Sequence, residues 1–410
     1  MRVAVVGGGL AGLAAALELV ERGHAVTLLE ARPTLGGAVQ TLPEREGDPP
    51  PPPDNGQHIA LGCFEEYLRF LDRIGEGRSY RRQRLSLPVI GEDAGVGAIS
   101  RSPLSILRYR HLPARERLAV VRVLLALRRA GADDGETFGA LLRRLGASDL
   151  QIDRFWDVFV RPALNLRADE ASAAMGVFTV RTALLGKAAA ADVILPAMPL
   201  GAMHGEAAGR ALEAAGATVC RGRRVESLDE IDADAIVVAV PAAESARLLA
   251  EPEPALEPSP IVSVHLLFDR PLLRSPLAAL LGSPAHWVFD RGALTGHPPE
   301  QGQYLTVVAS GVPELLEIRG KALVELMADE LTGRLGRAEL LWSRVSREPN
   351  ATVALRPGTQ KERRGPVTDR PNVVRAGAWT DTGWPATMEG AVRSGLAAAR
   401  TIGAMQAGRA

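Results

Sequence analysis

Arg2-Val3-Ala4-Val5-Val6-Gly7-Gly8-Gly9-Leu10-Ala11-Gly12 follows Met1 directly, and its reading decides the fold. Arg2 to Val6 is a short apolar run of the kind that forms a buried strand. Leu13 to Arg22 is rich in Ala and Leu and is stopped by Gly23, as a helix would be. Ala25 to Leu29 reads as a second buried strand. Together they make one β-α-β unit, and Gly7 to Gly12 satisfies G-x-G-x-x-G at its first turn. Gly7 permits the tight turn. Gly9 lets the backbone approach a pyrophosphate, and Gly12 lets the helix pack close to the sheet. The free N–H groups of the helix start, Leu10 and Ala11 included, then face the phosphates. Glu30 closes the second strand, where a carboxylate can accept bonds from ribose hydroxyls. A carboxylate there, rather than a basic cluster, argues against a 2′-phosphate and so against NADP.

The bulk composition narrows the classes. A chain of 410 residues is too long for one compact core and predicts two domains. Formal net charge is zero, which gives no reason to expect a nucleic-acid partner. Cys63 and Cys220 are far apart, so they make neither a metal-spaced pair nor a disulfide framework, and no metal site is expected. No signal-peptide pattern and no apolar stretch of spanning length is visible. The expected location is cytoplasmic.

The remaining chain alternates between helical and strand patterns. Pro49 to Pro53 must run extended, and Cys63 to Ile74 has helical spacing. Arg78 to Leu195 reads as mostly helical and Arg-rich, and Met203 to Ala215 as another helix. Strands are expected at 217–225, 235–240, 261–268, 304–309 and 372–376, with helices at 315–335 and 388–402. This predicts an α/β protein with a Rossmann-like dinucleotide domain assembled from 1–75, 200–250 and 345–410. A discontinuous α+β substrate domain, 76–199 and 251–344, is threaded between those segments.

Glu30-Ala31-Arg32-Pro33-Thr34-Leu35-Gly36-Gly37 resembles the E-A-R-x-x-x-G-G extension of the amine-oxidase and carotenoid-desaturase flavoproteins. The resemblance implies FAD, with the Gly pair turning beneath the flavin. Those proteins usually carry Arg next, where this chain has Ala38. They also end a late strand in Gly-Asp before a helix that points at the flavin. Here the matching segment is Val374-Arg375-Ala376-Gly377-Ala378, then Ala386-Thr387-Met388 at the helix start, so Ala378 replaces the Asp. Losing one charge-assisted hydrogen bond costs about 1.5–3 kcal/mol, which implies weaker but retained binding. The same resemblance assigns Val225 to the cofactor site.

Asp54-Asn55-Gly56-Gln57-His58 with Gly62-Cys63-Phe64, and the run from Trp379 to Gly395, look like the signatures of one branch, the hydroxysqualene dehydroxylases of bacterial squalene and hopanoid synthesis. Ala163-Leu164-Asn165, Pro199-Leu200 and His286 to Arg291 add support along the chain. The resemblance implies reductive removal of an allylic hydroxyl, which needs a dry pocket, a hydride donor and an acid. Asp54 and His58 are the acid candidates. The alternative for Asp54, Asn55, Gln57 and His58 is a hydrogen-bonded turn that shapes the flavin pocket. Trp379 and Trp384 are candidates for lining an apolar cavity, with ordinary packing as the alternative. Glu389 and Asp381 read as a helix-start carboxylate and an exposed-turn residue.

Eight arginines and one glutamate fall between Arg101 and Arg129, interleaved with apolar residues. Such a segment suits the surface of an anionic membrane, from which a C30 isoprenoid would be delivered. Its other reading is a substrate-domain helix with a solvated basic face. The competing functions are an oxidative desaturase or amine oxidase, and a flavin-poor scaffold in an isoprenoid-enzyme complex. No second G-x-G-x-x-G follows a strand, so the sequence names no electron donor.

Overall fold

The computed structural model describes residues 1–407. The β-α-β unit forms as expected, with strands Arg2–Val6 and Ala25–Glu30 parallel and in register from Arg2 opposite Ala25. The helix between them runs Leu10–Glu21, three residues earlier than its composition suggests, because Gly9 is the N-cap. A parallel five-stranded sheet is built around this unit in the order Val373–Arg375, Ala235–Val238, Arg2–Val6, Ala25–Glu30, Thr218–Arg221. Its strands come from three distant parts of the chain. Parallel strands need crossovers, and here the two long ones, residues 31–217 and 239–372, carry the rest of the molecule.

The expected strand 217–225 stops at Arg221. The next residues leave the sheet, and Arg223 N–H donates to Glu30 O at 2.8 Å. The helix expected at 315–335 divides into Glu314–Glu317 and Lys321–Leu335. Gly320 between them has φ +58°, a conformation no helix continues through, and it caps the start of the second helix.

The second layer is a seven-stranded sheet, ordered Leu340–Val353, Pro258–Phe268, Gln303–Ser310, Trp287–Asp290, Leu277–Leu280, Ser86–Ile90, Val96–Ser100. Two sequence expectations change here. The 78–195 segment is not uniformly helical, since it supplies Tyr80–Gln83, Ser86–Ile90, Val96–Ser100 and Val193–Pro196 as strands. These runs are short and their polar residues interrupt any clear alternation, so the helical composition around them masks the strand pattern. The strand Leu340–Val353 also crosses the 344/345 position at which a domain boundary was expected. It pairs with Pro258–Phe268 along almost its whole length, which ties residues 345–353 to the large sheet.

One face of the large sheet is apolar. Val262, Val264 and Leu266 pack with Leu323, Met327 and Leu331 of the helix that covers them. The other face carries Ser263, His265, Thr306 and Arg344, all buried. A strap from Pro43 to Asp54 lies on that polar face.

The C-terminal helix Met388–Ala407 packs against the Leu10–Glu21 helix at very short range. A Cβ on Gly395 would stand 2.1 Å from Ala11 O, so only glycine allows this crossing. Gly395→Ala should therefore destabilise the protein by about 1–3 kcal/mol, as overpacking does. Urea denaturation should show a lowered midpoint with an unchanged m-value.

Candidate active site

The glycine loop is shaped by contacts that leave one opening. A Cβ on Gly7 would lie 2.3 Å from Ala239 O, and one on Gly12 would lie 1.9 Å from Gly7 O. On Gly9 it would meet only Gly37 Cα, at 3.7 Å. Gly9 thus faces free space at the start of a helix that has no side-chain cap and no acidic residue in its first turn. An uncapped helix start beside an open backbone suits a pyrophosphate. The residues therefore fit a dinucleotide such as FAD.

Gly36 and Gly37 lie against this loop. Gly36 N–H donates to Gly8 O at 2.8 Å, and Gly37 has φ +64° with its missing Cβ 2.7 Å from Gly9 Cα. Glu30 is buried, and its carboxylate accepts from Gly8 N–H at 2.6 Å and Arg32 N–H at 2.8 Å. Each oxygen keeps a lone pair for a ribose hydroxyl. Gly222 N–H donates to Arg32 O, which brings the segment leading to buried Val225 alongside Glu30, Ala31 and Arg32.

The far side of the site is the turn 377–387. Gly377 has φ +153° and donates to Ser394 Oγ at 2.9 Å. Buried Arg363 donates to the carbonyls of Ala378, Trp379, Thr380 and Trp384, fixing the turn through backbone alone. Thr387 caps the C-terminal helix, its Oγ1 accepting from Gly390 N–H at 3.3 Å. Ala386 and Met388 beside it are half-buried.

The structure separates the two tryptophans. Trp379 is 6% exposed and donates from Nε1 to Val240 O at 3.0 Å, beneath Gly377. It props the turn. Trp384 is half-buried, edge-on to Phe64 at 5.9 Å and Phe178 at 5.0 Å, with the Arg393 guanidinium 4.8 Å from its ring centre. Arg393 also donates to Glu389, which accepts from Glu66 and Tyr67 N–H and so caps the Glu65–Arg73 helix. Burial pushes the Glu389 carboxyl up.

Asp54 is the hub of the strap. Its carboxylate accepts from Arg291 Nη1 at 2.7 Å, Thr41 Oγ1 at 2.7 Å and Leu200 N–H at 3.0 Å. Both charged side chains are 2% exposed. His265 Nε2 lies 2.9 Å from Asp54 O, and Arg291 also donates to Pro52 O. Arg344 pairs with Asp48 and donates to Pro43 O at 2.7 Å. Buried Asn55 donates to Ala38 O at 2.9 Å, holding the chain just after Gly37.

His58 Nδ1 lies 3.2 Å from Gly56 O, so that nitrogen carries the proton of the neutral ring. Burial lowers its pKa below the usual imidazole range. Gln57 is half-buried, its amide 3.4 Å from His58 O. Nearby His204 is fully buried, donates from Nδ1 to Leu200 O and accepts from Tyr67 Oη at 2.7 Å. Burial pushes it down to about 4. Arg291, Arg363, His204 and His265 were not singled out in the sequence. Arg291 lay inside a quoted segment, but its partner is 237 residues away.

The family model described as flavin containing amine oxidoreductase matches residues 211–403, and a NAD(P)-binding Rossmann-like domain matches 5–74. Over residues 211–403 the chain is similar to the flavin containing amine oxidoreductases. It is an FAD-binding oxidoreductase. A hydroxysqualene dehydroxylase of Sinorhizobium fredii is 29% identical, with 97% of each chain covered. Another, of Rhodopseudomonas palustris, is also 29% identical over 100% of this chain and 99% of its own. A solved putrescine oxidase variant shares the fold, with TM-score 0.76 and 18% identity over 100% of this chain and 99% of its own. Among the described residues no helix is long and apolar enough to cross a membrane, and no group of His, Cys, Asp and Glu could hold a metal ion.

Gly9→Val should place its side chain in the open space beside the loop. The expected product is a folded, colourless protein, judged by far-UV circular dichroism and flavin absorbance. His204→Gln should flatten part of the acid limb of stability. The unfolded imidazole binds protons below about pH 6.5, while the folded one stays neutral until about 4. Wild-type stability should therefore fall across that window by up to about 1.4 kcal/mol per pH unit from this residue. Urea titrations at several pH values would read the difference.

Proposed function

We propose that this chain is a hydroxysqualene dehydroxylase, acting in squalene and hopanoid synthesis. It removes the allylic hydroxyl of hydroxysqualene as water and delivers a hydride in its place, giving squalene. The observation that carries this reading is the similarity over nearly the full chain to two hydroxysqualene dehydroxylases. The apolar ring cluster of Trp384, Phe64 and Phe178 at the turn before the C-terminal helix supports an isoprenoid substrate.

In this reading Gly7, Gly9, Leu10, Ala11, Gly12 and Glu30 to Arg32 hold the dinucleotide half, with Val225 beside them. Gly36, Gly37, Ala38, Gly377, Ala378 and Ala386 to Met388 frame the flavin half. Bound FAD, when reduced, supplies the hydride that replaces the hydroxyl. The positive end of the Met388–Ala407 helix would stabilise the negative charge of reduced flavin before the hydride leaves. The apolar cluster excludes water, so an allylic cation is not quenched by solvent.

Asp54 and His58 take different roles. Asp54 is occupied by three donors, one of them a guanidinium, and acts as a positioning residue that holds the strap and Leu200. His58 is the acid. Its Nδ1–H is spent on Gly56 O, leaving Nε2 to carry the proton given to the departing hydroxyl. Asn55 and Gln57 shape the pocket through the backbone they bind. Peripheral contact with the inner face of the cytoplasmic membrane belongs to the same reading, because the substrate is a membrane-soluble C30 alcohol.

Purified protein supplied with a chemical reductant should convert hydroxysqualene to squalene in extracted lipid. Hydroxysqualene recovered unchanged by flavin-loaded protein would overturn the reading. His58→Ala should lower product formation by about 10²–10⁴-fold with flavin content unchanged. Because burial lowers the His58 pKa, wild-type turnover should rise as pH drops below 7.

A further inference from the structure

The Arg-rich segment that the chemistry leaves unused is folded in an informative way. It forms two helices, Pro103–Leu107 and Ala114–Leu127. Part of its apolar residues is turned inward. Ala119, Val120, Val123 and Leu127 are buried. Val120, Val123 and Leu127 share one core cluster with Phe155, Trp156 and Phe289.

The outward side of Ala114–Leu127 is a single stripe of Arg115, Leu118, Arg122, Leu125 and Arg129, with spacings of 3, 4, 3 and 4 residues. Leu118 and Leu125 are each 58% exposed. A solvated basic face needs no leucine between its arginines. The stripe continues onto neighbouring elements, where Leu104 and Leu107 are exposed on the short helix and Val96 on the edge strand Val96–Ser100. A surface depression of about 500 Å³ opens between these two elements, lined by Val96, Ala98, Leu104 and Arg108 among others. Among the described residues nine large apolar side chains are exposed, and five of them lie between Val96 and Leu125. Arg108, Arg122, Arg128 and Arg129 have no carboxylate partner within 4.0 Å among the described residues, although ion pairs abound elsewhere on the surface.

We infer that this surface, formed by the outward stripe of Ala114–Leu127 with Leu104, Leu107 and Val96, docks the protein on an anionic phospholipid bilayer. The leucines insert at the headgroup boundary while the unpaired guanidinium groups bind lipid phosphates. Charge complementarity selects a lipid surface over a neutral apolar partner. The inward side holds the orientation rigidly. Arg117 donates to Leu107 O and Leu112 O, joining the two helices, and Arg181 caps the end of the longer one through Leu127 O. The inference refines where membrane contact occurs within the proposed function, and rests on that reading for its purpose but not for its test.

The test is flotation of the full-length holoprotein with vesicles of phosphatidylcholine alone or mixed with phosphatidylglycerol. Binding to the anionic vesicles should be stronger by at least about tenfold and should weaken with salt. The Leu118→Ser, Leu125→Ser double variant should lose binding, and Arg122→Gln, Arg129→Gln should lose the preference for anionic lipid. Flavin absorbance must remain that of the wild type in both. Equal binding to both vesicle types, or unchanged binding by both variants, would overturn the inference. So would a dimer in light scattering that the leucine variant dissolves while no vesicle binding is seen. Squalene formation in detergent micelles, measured separately on the same variants, reports on the proposed function without passing through the lipid surface.

Discussion

The buried pair of Asp54 and Arg291 joins the two halves of this molecule. Arg291 opens the short helix Arg291–Thr295 that directly follows the Trp287–Asp290 strand of the large sheet, while Asp54 sits on the strap that follows the glycine pair. With both side chains 2% exposed, neither charge could stay there alone. Thr41 Oγ1 and Leu200 N–H donate to the other carboxylate oxygen, so both oxygens of the desolvated charge have donors. Once this joint is fixed, Leu200 positions the helical segment that carries His204, and Gly205 packs against Leu35 and Gly36. The glycine pair is thereby held from both sides, by the dinucleotide loop and by the strap. A second buried pair, Arg344 with Asp48, anchors the same strap to the same sheet.

That arrangement explains how the chain tolerates its two alanines. Ala38 and Ala378 stand where related flavoproteins carry Arg and Asp. Their side chains contribute nothing polar, but their backbones are held by others. Asn55 binds Ala38 O, and Arg363 binds Ala378 O together with three neighbouring carbonyls. The shape of this rim, proposed to face the cofactor, is thus a backbone property, kept without the missing side chains.

The dinucleotide half was legible because its signals are local. A strand, a glycine hexad, a helix and Glu30 fall within one supersecondary unit, and each residue type has a single physical reason to be there. The run from Trp379 to Gly395 was legible for the same reason, although Trp379 turned out to prop the turn. What stayed hidden depends on distance. Nothing near Arg291 or Arg363 in the chain marks them as buried, because their partners arrive only when remote segments meet. The short strands between Tyr80 and Ser100 were masked by helical composition. The Arg-rich segment was legible in composition but not in orientation, since the core took its most apolar side and left the Leu–Arg stripe outside.

The direction of electron flow tests the central claim most directly. FAD bound to the protein is reduced anaerobically, hydroxysqualene is added, and flavin absorbance is followed in a single turnover. The account predicts reoxidation with one squalene formed per flavin. Flavin that stays reduced while hydroxysqualene persists, or oxidised flavin that is reduced by a squalene-type hydrocarbon, would contradict it and assign the site to oxidative desaturation.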